Sequence, residues 1–323
     1  MIEIVESFIR ENYRKLGLKG EPAKISFVKM GGRQDRFSSV PFACFLDDGD
    51  RPAFYIKFPR DPASYRQLKA EFENLRAIRD KAKSKTIRDS VPVPIWYNKN
   101  PIFTVQSAVS GRPMLSEMTK KNFLRLAAAA LSWLSEFHGE TEICRVLYRE
   151  YAREKIRGMI REIGTCSKSA AQVFSRALAT ERVSKAIEMP LAYIHGDFNP
   201  HNIMISGEKL GVFDWEESLV GLPLIDIFHL LTVSSFSVEF SWRDRRLSEE
   251  ERYREHFLEN IETIVSLIRN NYGLALDEET FAHAYVFYLA HMAVNEIKRD
   301  SLVNNFELWV NLTKMFLSVG CHQ

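Results

Sequence analysis

Residues 191–214 leave the chain little choice of local fold. Leu191 to Ile194 is an apolar approach to a turn, His195-Gly196-Asp197. Ile203-Met204-Ile205 then reads as a short strand, Ser206-Gly207-Glu208-Lys209 as a turn, and Leu210 to Phe213 as a second strand. The two strands form a hairpin. Asn202 at the start of one and Asp214 at the end of the other therefore face the same point, with Asp197 on the preceding loop. Pro200 stiffens that loop because its ring fixes φ. Two carboxylates and an amide oxygen in this order are the set that orients an alcohol and holds magnesium on nucleotide phosphates.

Phosphoryl transfer leaves little covalent chemistry to a protein, so catalysis rests on positioning the nucleophile and neutralising charge on phosphate oxygens. Asp197 suits the first role, since an aspartate with a reference pKa of about 3.9 is ionised at neutral pH and can accept a hydroxyl proton. Asn202 and Asp214 suit the second. Magnesium takes hard oxygen ligands and keeps several waters, so one carboxylate and one amide oxygen beside the phosphates suffice. Singly, each has a plainer reading: His-Gly-Asp is commonly a turn, and Asp214 a helix cap before Trp215. Their joint order favours the chemistry.

The run His195-Gly-Asp197-Phe-Asn-Pro-His-Asn202-Ile-Met-Ile, then Gly211-Val-Phe-Asp214-Trp-Glu, then Gly221-Leu-Pro223-Leu-Ile-Asp226, resembles the aminoglycoside phosphotransferase and choline kinase family of small-molecule kinases. The resemblance implies an α+β, bilobal, protein-kinase-like fold. A small antiparallel-sheet N-lobe would span residues 1–105, a hinge 106–113, and a larger, mainly helical C-lobe 114–323. It also implies that Asp197 is the catalytic base, that Asn202 and Asp214 hold Mg2+, and that His195 supports the loop backbone through its ring. His201 reads as an exposed loop residue. Asp226 lies in apolar company and needs partners, so it would bond the catalytic loop or cap the following helix.

A nucleotide clamp is expected upstream. Ala53-Phe-Tyr-Ile-Lys57-Phe reads as a strand whose lysine would pair the α and β phosphates, the plainer reading being a solvated edge residue. Tyr65 to Lys83 has helical spacing, and alignment to the family's helix puts Glu71 at the lysine-pairing position, with Glu73 in reserve; a surface helix charge is the alternative. Gly31-Gly32-Arg33, between two apolar runs, would be either a phosphate-covering turn, aided by Arg33 or Arg36, or a simple hairpin turn. By resemblance, the base would bond backbone around Gln106 to Ala108. Such contacts do not separate ATP from GTP.

The expected activity is Mg-dependent transfer of the γ-phosphoryl of ATP (or GTP) to a hydroxyl of a small polar acceptor such as an aminoglycoside, amino-alcohol or sugar. The alternatives are a nucleotide-binding regulatory module and a metal-dependent hydrolase using His195, Asp197 and Asp214. Trp-Glu after Asp214, and the short interval to Gly221, leave little room for the activation segment of a protein-directed enzyme. For the acceptor pocket, Trp215, Phe236, Phe240, Trp242, Tyr285, Tyr288 and His291 are either an aromatic cage or ordinary core. Glu216 and Glu217 would attract a cation or tune the metal-binding loop.

With 44 basic and 42 acidic residues the charge is nearly balanced, which gives no electrostatic case for nucleic acid as a partner, although Lys81-Ala-Lys83-Ser-Lys85 is locally basic. No stretch approaches the roughly 20 apolar residues of a membrane span. Cys44, Cys144, Cys166 and Cys321 are scattered, without metal-like spacing, which suggests reduced thiols and a cytoplasmic setting. Periodicity predicts an initial helix from Ile2 to Leu16, strands over 24–58, a helix over 120–137 and two over 149–186. Four more helical segments are expected near 223–236, 249–271, 278–298 and 301–317.

Overall fold

A computed structural model of the chain describes residues 2–31, 38–47, 49–119, 121–179, 187–237, 246–274, 276–299 and 305–319. The small lobe begins with α1 (Ile2–Asn12), β1 (Ile25–Lys29), β2 (Ser39–Leu46) and β3 (Phe54–Pro59). It continues with α2 (Tyr65–Lys81), α3 (Lys85–Ser90), β4 (Pro94–Lys99) and β5 (Ile102–Ser107). The five strands pair antiparallel in the order β1-β2-β3-β5-β4. Strand periodicity gives β3 two faces with different roles. Phe54, Ile56 and Phe58 enter an apolar cluster with Val5 and Ile9 of α1 and Phe103 and Val105 of β5. Tyr55 and Lys57 point the other way, into a cleft. Helix α2 buries Leu68, Glu71, Leu75 and Ile78, so Glu71 occupies a place on the apolar stripe where a hydrophobic side chain is the norm.

Strand β5 runs through Ser107, and the chain leaves the sheet at Ala108. After a short linker, β6 (Arg112–Pro113) already pairs with the large lobe. Gly111 is needed at that junction. Its φ is +138°, and a Cβ there would lie 2.7 Å from the carbonyl oxygen of Ile205.

The large lobe continues with α4 (Met114–Glu117), α5 (Phe123–Glu140), β7 (Glu142–Leu147), α6 (Tyr148–Cys166), α7 (Lys168–Ala177) and β8 (Glu188–Ile194). Then come β9 (Ile203–Ser206), β10 (Lys209–Val212), β11 (Leu219–Gly221) and α8 (Leu224–Ser237). The chain ends in α9 (Glu249–His256), α10 (Ile261–Tyr272), α11 (Glu278–Arg299) and α12 (Phe306–Ser318). Two three-stranded sheets, β10-β9-β6 and β11-β8-β7, frame the loop between β8 and β9. Helices α8 and α11 are buried along nearly their whole length and form the centre of the large core.

Three expectations need adjustment. The first helix stops at Asn12 rather than Leu16, because the chain turns at Gly17, whose φ is +78°. The expected helix over 249–271 is two helices separated by a 3-10 turn at Leu258–Asn260, where Asn260 donates its side-chain amide to the carbonyl of Glu255. Strands β7 and β11 have no counterpart among the predicted elements. Part of the second helix over 149–186 and the first residues of the segment 301–317 lie outside the described residues.

Candidate active site

The turn after β8 is held from behind by α8. Asp226 accepts from the backbone N–H of His195 at 2.7 Å and of Gly196 at 2.8 Å, and from Nε2 of His138 at 3.1 Å. It thus bonds the loop, one of the two roles expected of it. Gly196 has φ +81°, and a Cβ would run into the backbone carbonyl of Glu217. His195 uses both ring nitrogens on backbone: Nε2 donates to the carbonyl of Phe213 at 2.9 Å, and Nδ1 accepts from the N–H of Asp197 at 3.2 Å. Phe198 fixes the far side, stacking on Trp133 with ring centroids 5.5 Å apart.

Asp197 is thereby presented at the cleft with its carboxylate ordered. Oδ1 accepts from His229 Nε2 at 2.9 Å and Asn199 Nδ2 at 3.2 Å, and Oδ2 from Asn202 Nδ2 at 3.0 Å. Asn199 also caps the 3-10 turn Pro200–Asn202, and His201 is exposed there. The hairpin pairs Ile203 with Val212, and the N–H of Phe213 donates to the carbonyl of Asn202, so Phe213 lies opposite Asn202 and Asp214 is the next residue along. Asp214 adopts φ +65°, a left-handed conformation uncommon for a non-glycine residue and often found where function demands it. Trp215 Nε1 donates to the carbonyl of Val212 and locks the corner.

Lys57 is neither solvated nor on an edge: β3 is the middle strand of its sheet and the side chain is 5 % exposed. Its ammonium meets Glu71 at 2.8 Å, Asp214 at 2.9 Å and Glu216 at 3.3 Å. Glu216 also accepts from the Ser39 hydroxyl. Burial lowers the lysine's affinity for its proton, but Asp214, Glu216 and Glu71 outweigh it and hold the ammonium well above its usual range. Burial pushes Glu71 up, to about 7, against the pull of Lys57, and also raises Glu216. For Asp214 burial is overcome by the charge and hydrogen bond of Lys57, so this carboxyl sits below its usual range. Glu73, the reserve candidate, is exposed and pairs with Lys69.

Gly31, Lys57, Gln106, Asp197 and Asp214 line one cleft of about 200 Å3 between the lobes. Glu71 and Asn202 stand behind Lys57 and Asp197 respectively. Ala108 borders an adjoining cavity of about 730 Å3. Gly32, Arg33 and Arg36 lie outside the described residues. The donor set fits magnesium: Asn202 commits its Nδ2 to Asp197, leaving its amide oxygen for a cation, and Asp214 adds a carboxylate oxygen besides the one on Lys57.

Of the two readings of the aromatic set, ordinary core is the one found for its described tryptophan, phenylalanine and tyrosines. Trp215, Tyr285 and Tyr288 are fully buried core residues and Phe236 is nearly so: Trp215 packs on Phe137, Phe236 and Tyr288 on Trp309, and Tyr285 on Phe257 and Phe316. Phe240 and Trp242 lie outside the described residues. His291 is half-buried and bonded to Asn295. Glu217 is paired with Arg299 at 3.1 Å. His138 and His229 were missed as supporting residues. His229 follows Asp226 by one helical turn, a spacing that places both on one face of α8 toward the loop.

A family model described as the phosphotransferase enzyme family matches residues 41–259, more than half of the chain. No curated protein matches the chain by sequence. Among solved structures, choline kinase from Cryptosporidium parvum Iowa II superposes with a TM-score of 0.60 at 13% identity, covering 99% of this chain and 95% of that one. Macrolide 2'-phosphotransferase type I gives 0.57 at 14% identity, covering 96% and 95%. The ADP-bound aminoglycoside phosphotransferase APH(2'')-Ib gives 0.55 at 15% identity, covering 96% and 97%. These likenesses establish the protein-kinase-like bilobal fold, and the match over residues 41–259 makes this chain a member of the phosphotransferase enzyme family.

Proposed function

We propose that the protein is a magnesium-dependent kinase that moves the γ-phosphoryl group of ATP or GTP to a hydroxyl of a small polar acceptor. The observation that carries this reading is the contact of the buried Lys57 ammonium with both the buried Glu71 and the cleft-facing Asp214, in the same cleft as Asp197. Lys57 would bind the α and β phosphates, held in reach by Glu71, and Asp197 would orient the acceptor hydroxyl and take its proton. Asn202 and Asp214 would hold magnesium, which supplies charge neutralisation on the phosphate oxygens. Backbone between Gln106 and Ala108 would receive the base, and Gly31 would border the phosphates. The similar structures include choline kinase and aminoglycoside and macrolide phosphotransferases, which supports a small hydroxylated acceptor.

The hydrolase alternative loses its histidine, since both ring nitrogens of His195 are committed to backbone. The regulatory alternative is disfavoured by the ordered carboxylate of Asp197. The test is nucleotide consumption with ATP or GTP and magnesium against a panel of amino-alcohols, aminoglycosides, macrolides and sugars. Acceptor-dependent diphosphate release is expected. Nucleotide binding with no turnover on any acceptor would favour the regulatory module instead.

A further inference from the structure

Two Tyr-His-Asp chains run side by side into residues 195–197. In one, the hydroxyl of Tyr272 on α10 meets His138 Nδ1 at 3.0 Å, and His138 Nε2 meets Asp226 at 3.1 Å. This chain clamps the loop backbone. In the other, the hydroxyl of Tyr288 on α11 meets His229 Nδ1 at 3.1 Å, and His229 Nε2 meets Oδ1 of Asp197 at 2.9 Å. The second chain ends on the side chain that would meet the acceptor.

The direction of its hydrogen bonds follows from the groups themselves. An ionised carboxylate only accepts, so His229 presents a proton at Nε2, and in the neutral ring Nδ1 is then the acceptor for the Tyr288 hydroxyl. Burial pushes the Tyr288 phenol well above its usual range, which keeps that hydroxyl a donor. His229 is 3% exposed and Tyr288 fully buried, so water does not compete for either contact. The imidazole is also boxed in, with the rings of Tyr288 and Trp309 at centroid distances of 6.0 and 6.3 Å.

We infer that His229 is a positioning residue for phosphoryl transfer, its Nε2–H fixing the plane of the Asp197 carboxylate and Tyr288 selecting the tautomer that makes this possible. The inference rests on the kinase function proposed above. Asn202 and Asn199 hold the carboxylate from one side of the loop, and His229 holds it from the helix behind, so rotation about the Cβ–Cγ bond is stopped. In the reaction the acceptor oxygen bonds the γ-phosphorus and its proton passes to Asp197. The bond from that phosphorus to the β–γ bridging oxygen breaks, and the nucleoside diphosphate leaves with that electron pair. His229 gives up no proton; it sets the angle at which Asp197 receives one.

The test compares kcat and KM of wild type, His229→Leu, His229→Gln and Tyr288→Phe, with 15N spectra of the histidine rings. Loss of the Nε2–H contact in His229→Leu is expected to lower kcat about 10²-fold, the size of effect that misplacing a catalytic group produces, with the nucleotide KM little changed. His229→Gln, whose amide N–H reaches the place of Nε2, should recover most of the loss, and Tyr288→Phe should lie between. The wild-type spectrum should show His229 protonated at Nε2, and this readout stands even where His229→Leu fails to fold. Wild-type kcat in His229→Leu, equal losses in the Leu and Gln variants, or a proton on Nδ1 would each overturn the inference while leaving the kinase function standing. A wild type that turns over no acceptor would overturn both.

Discussion

Asp226 shows how one buried charge organises the site. Its two oxygens take two consecutive backbone N–H groups and a histidine, which is why a carboxylate is tolerated at zero exposure. Burial raises this carboxyl, but the hydrogen bond and charge of His138, with the backbone N–H of His195, outweigh it and hold the group below its usual range. A depressed carboxyl adds stability that is present above the unfolded value of about 3.9 and is lost as pH falls through the folded value. Asp226→Asn should therefore cost about 2 kcal/mol at neutral pH. In thermal denaturation the gap between wild type and variant should hold from about pH 7 to 5 and narrow below about 4. A gap that widens in acid would contradict this.

Glycines decide how the elements meet. Gly196 and Gly207 both have positive φ, at +81° and +63°, but a Cβ at Gly196 strikes the backbone of Glu217 whereas one at Gly207 meets nothing within 4 Å. Gly207→Ala should cost about 1–2 kcal/mol, the left-handed penalty alone. Gly196→Ala should cost clearly more and displace Asp197, so equal melting temperatures for the two variants would contradict the geometry. Much at this scale is legible in the sequence. The hairpin announces itself through two apolar runs around a Gly-containing turn, and the helical period of Leu68, Leu75 and Ile78 gives α2. Other elements are silent for physical reasons. Strand β7, Glu-Ile-Cys-Arg-Val-Leu, lacks a polar–apolar alternation because neither of its faces is deeply buried. The apolar period runs on through Tyr253, Phe257, Leu258 and Ile264, which hides the break between α9 and α10. His229 is signalled only by its one-turn spacing from Asp226, and Tyr288 carries no local signal, since its meaning arises only when α8 and α11 pack together.

Across the whole molecule, polar contacts tie the small lobe to the segment after the hairpin. Lys57 reaches Asp214 and Glu216, and Asn74 of α2 donates to the carbonyl of Ser218 at 2.7 Å. Glu140 of α5 accepts from the backbone N–H groups of Lys83 and Ser84. A ligand bound between the lobes should add to this coupling. Magnesium nucleotide at 100 times its Kd should stabilise the wild type by about 2.7 kcal/mol. Lys57→Ala should unfold at lower temperature, because it strands three carboxylates, and should lose most of the nucleotide-induced shift; a shift of wild-type size would contradict the role given to Lys57. The most direct measurement is acceptor-dependent diphosphate release by wild type and Asp197→Asn, alongside nucleotide affinity. Loss of at least about 10²-fold in kcat with unchanged nucleotide affinity is predicted, because the variant removes the proton acceptor and leaves the clamp intact. Undiminished turnover in Asp197→Asn would contradict the proposed chemistry.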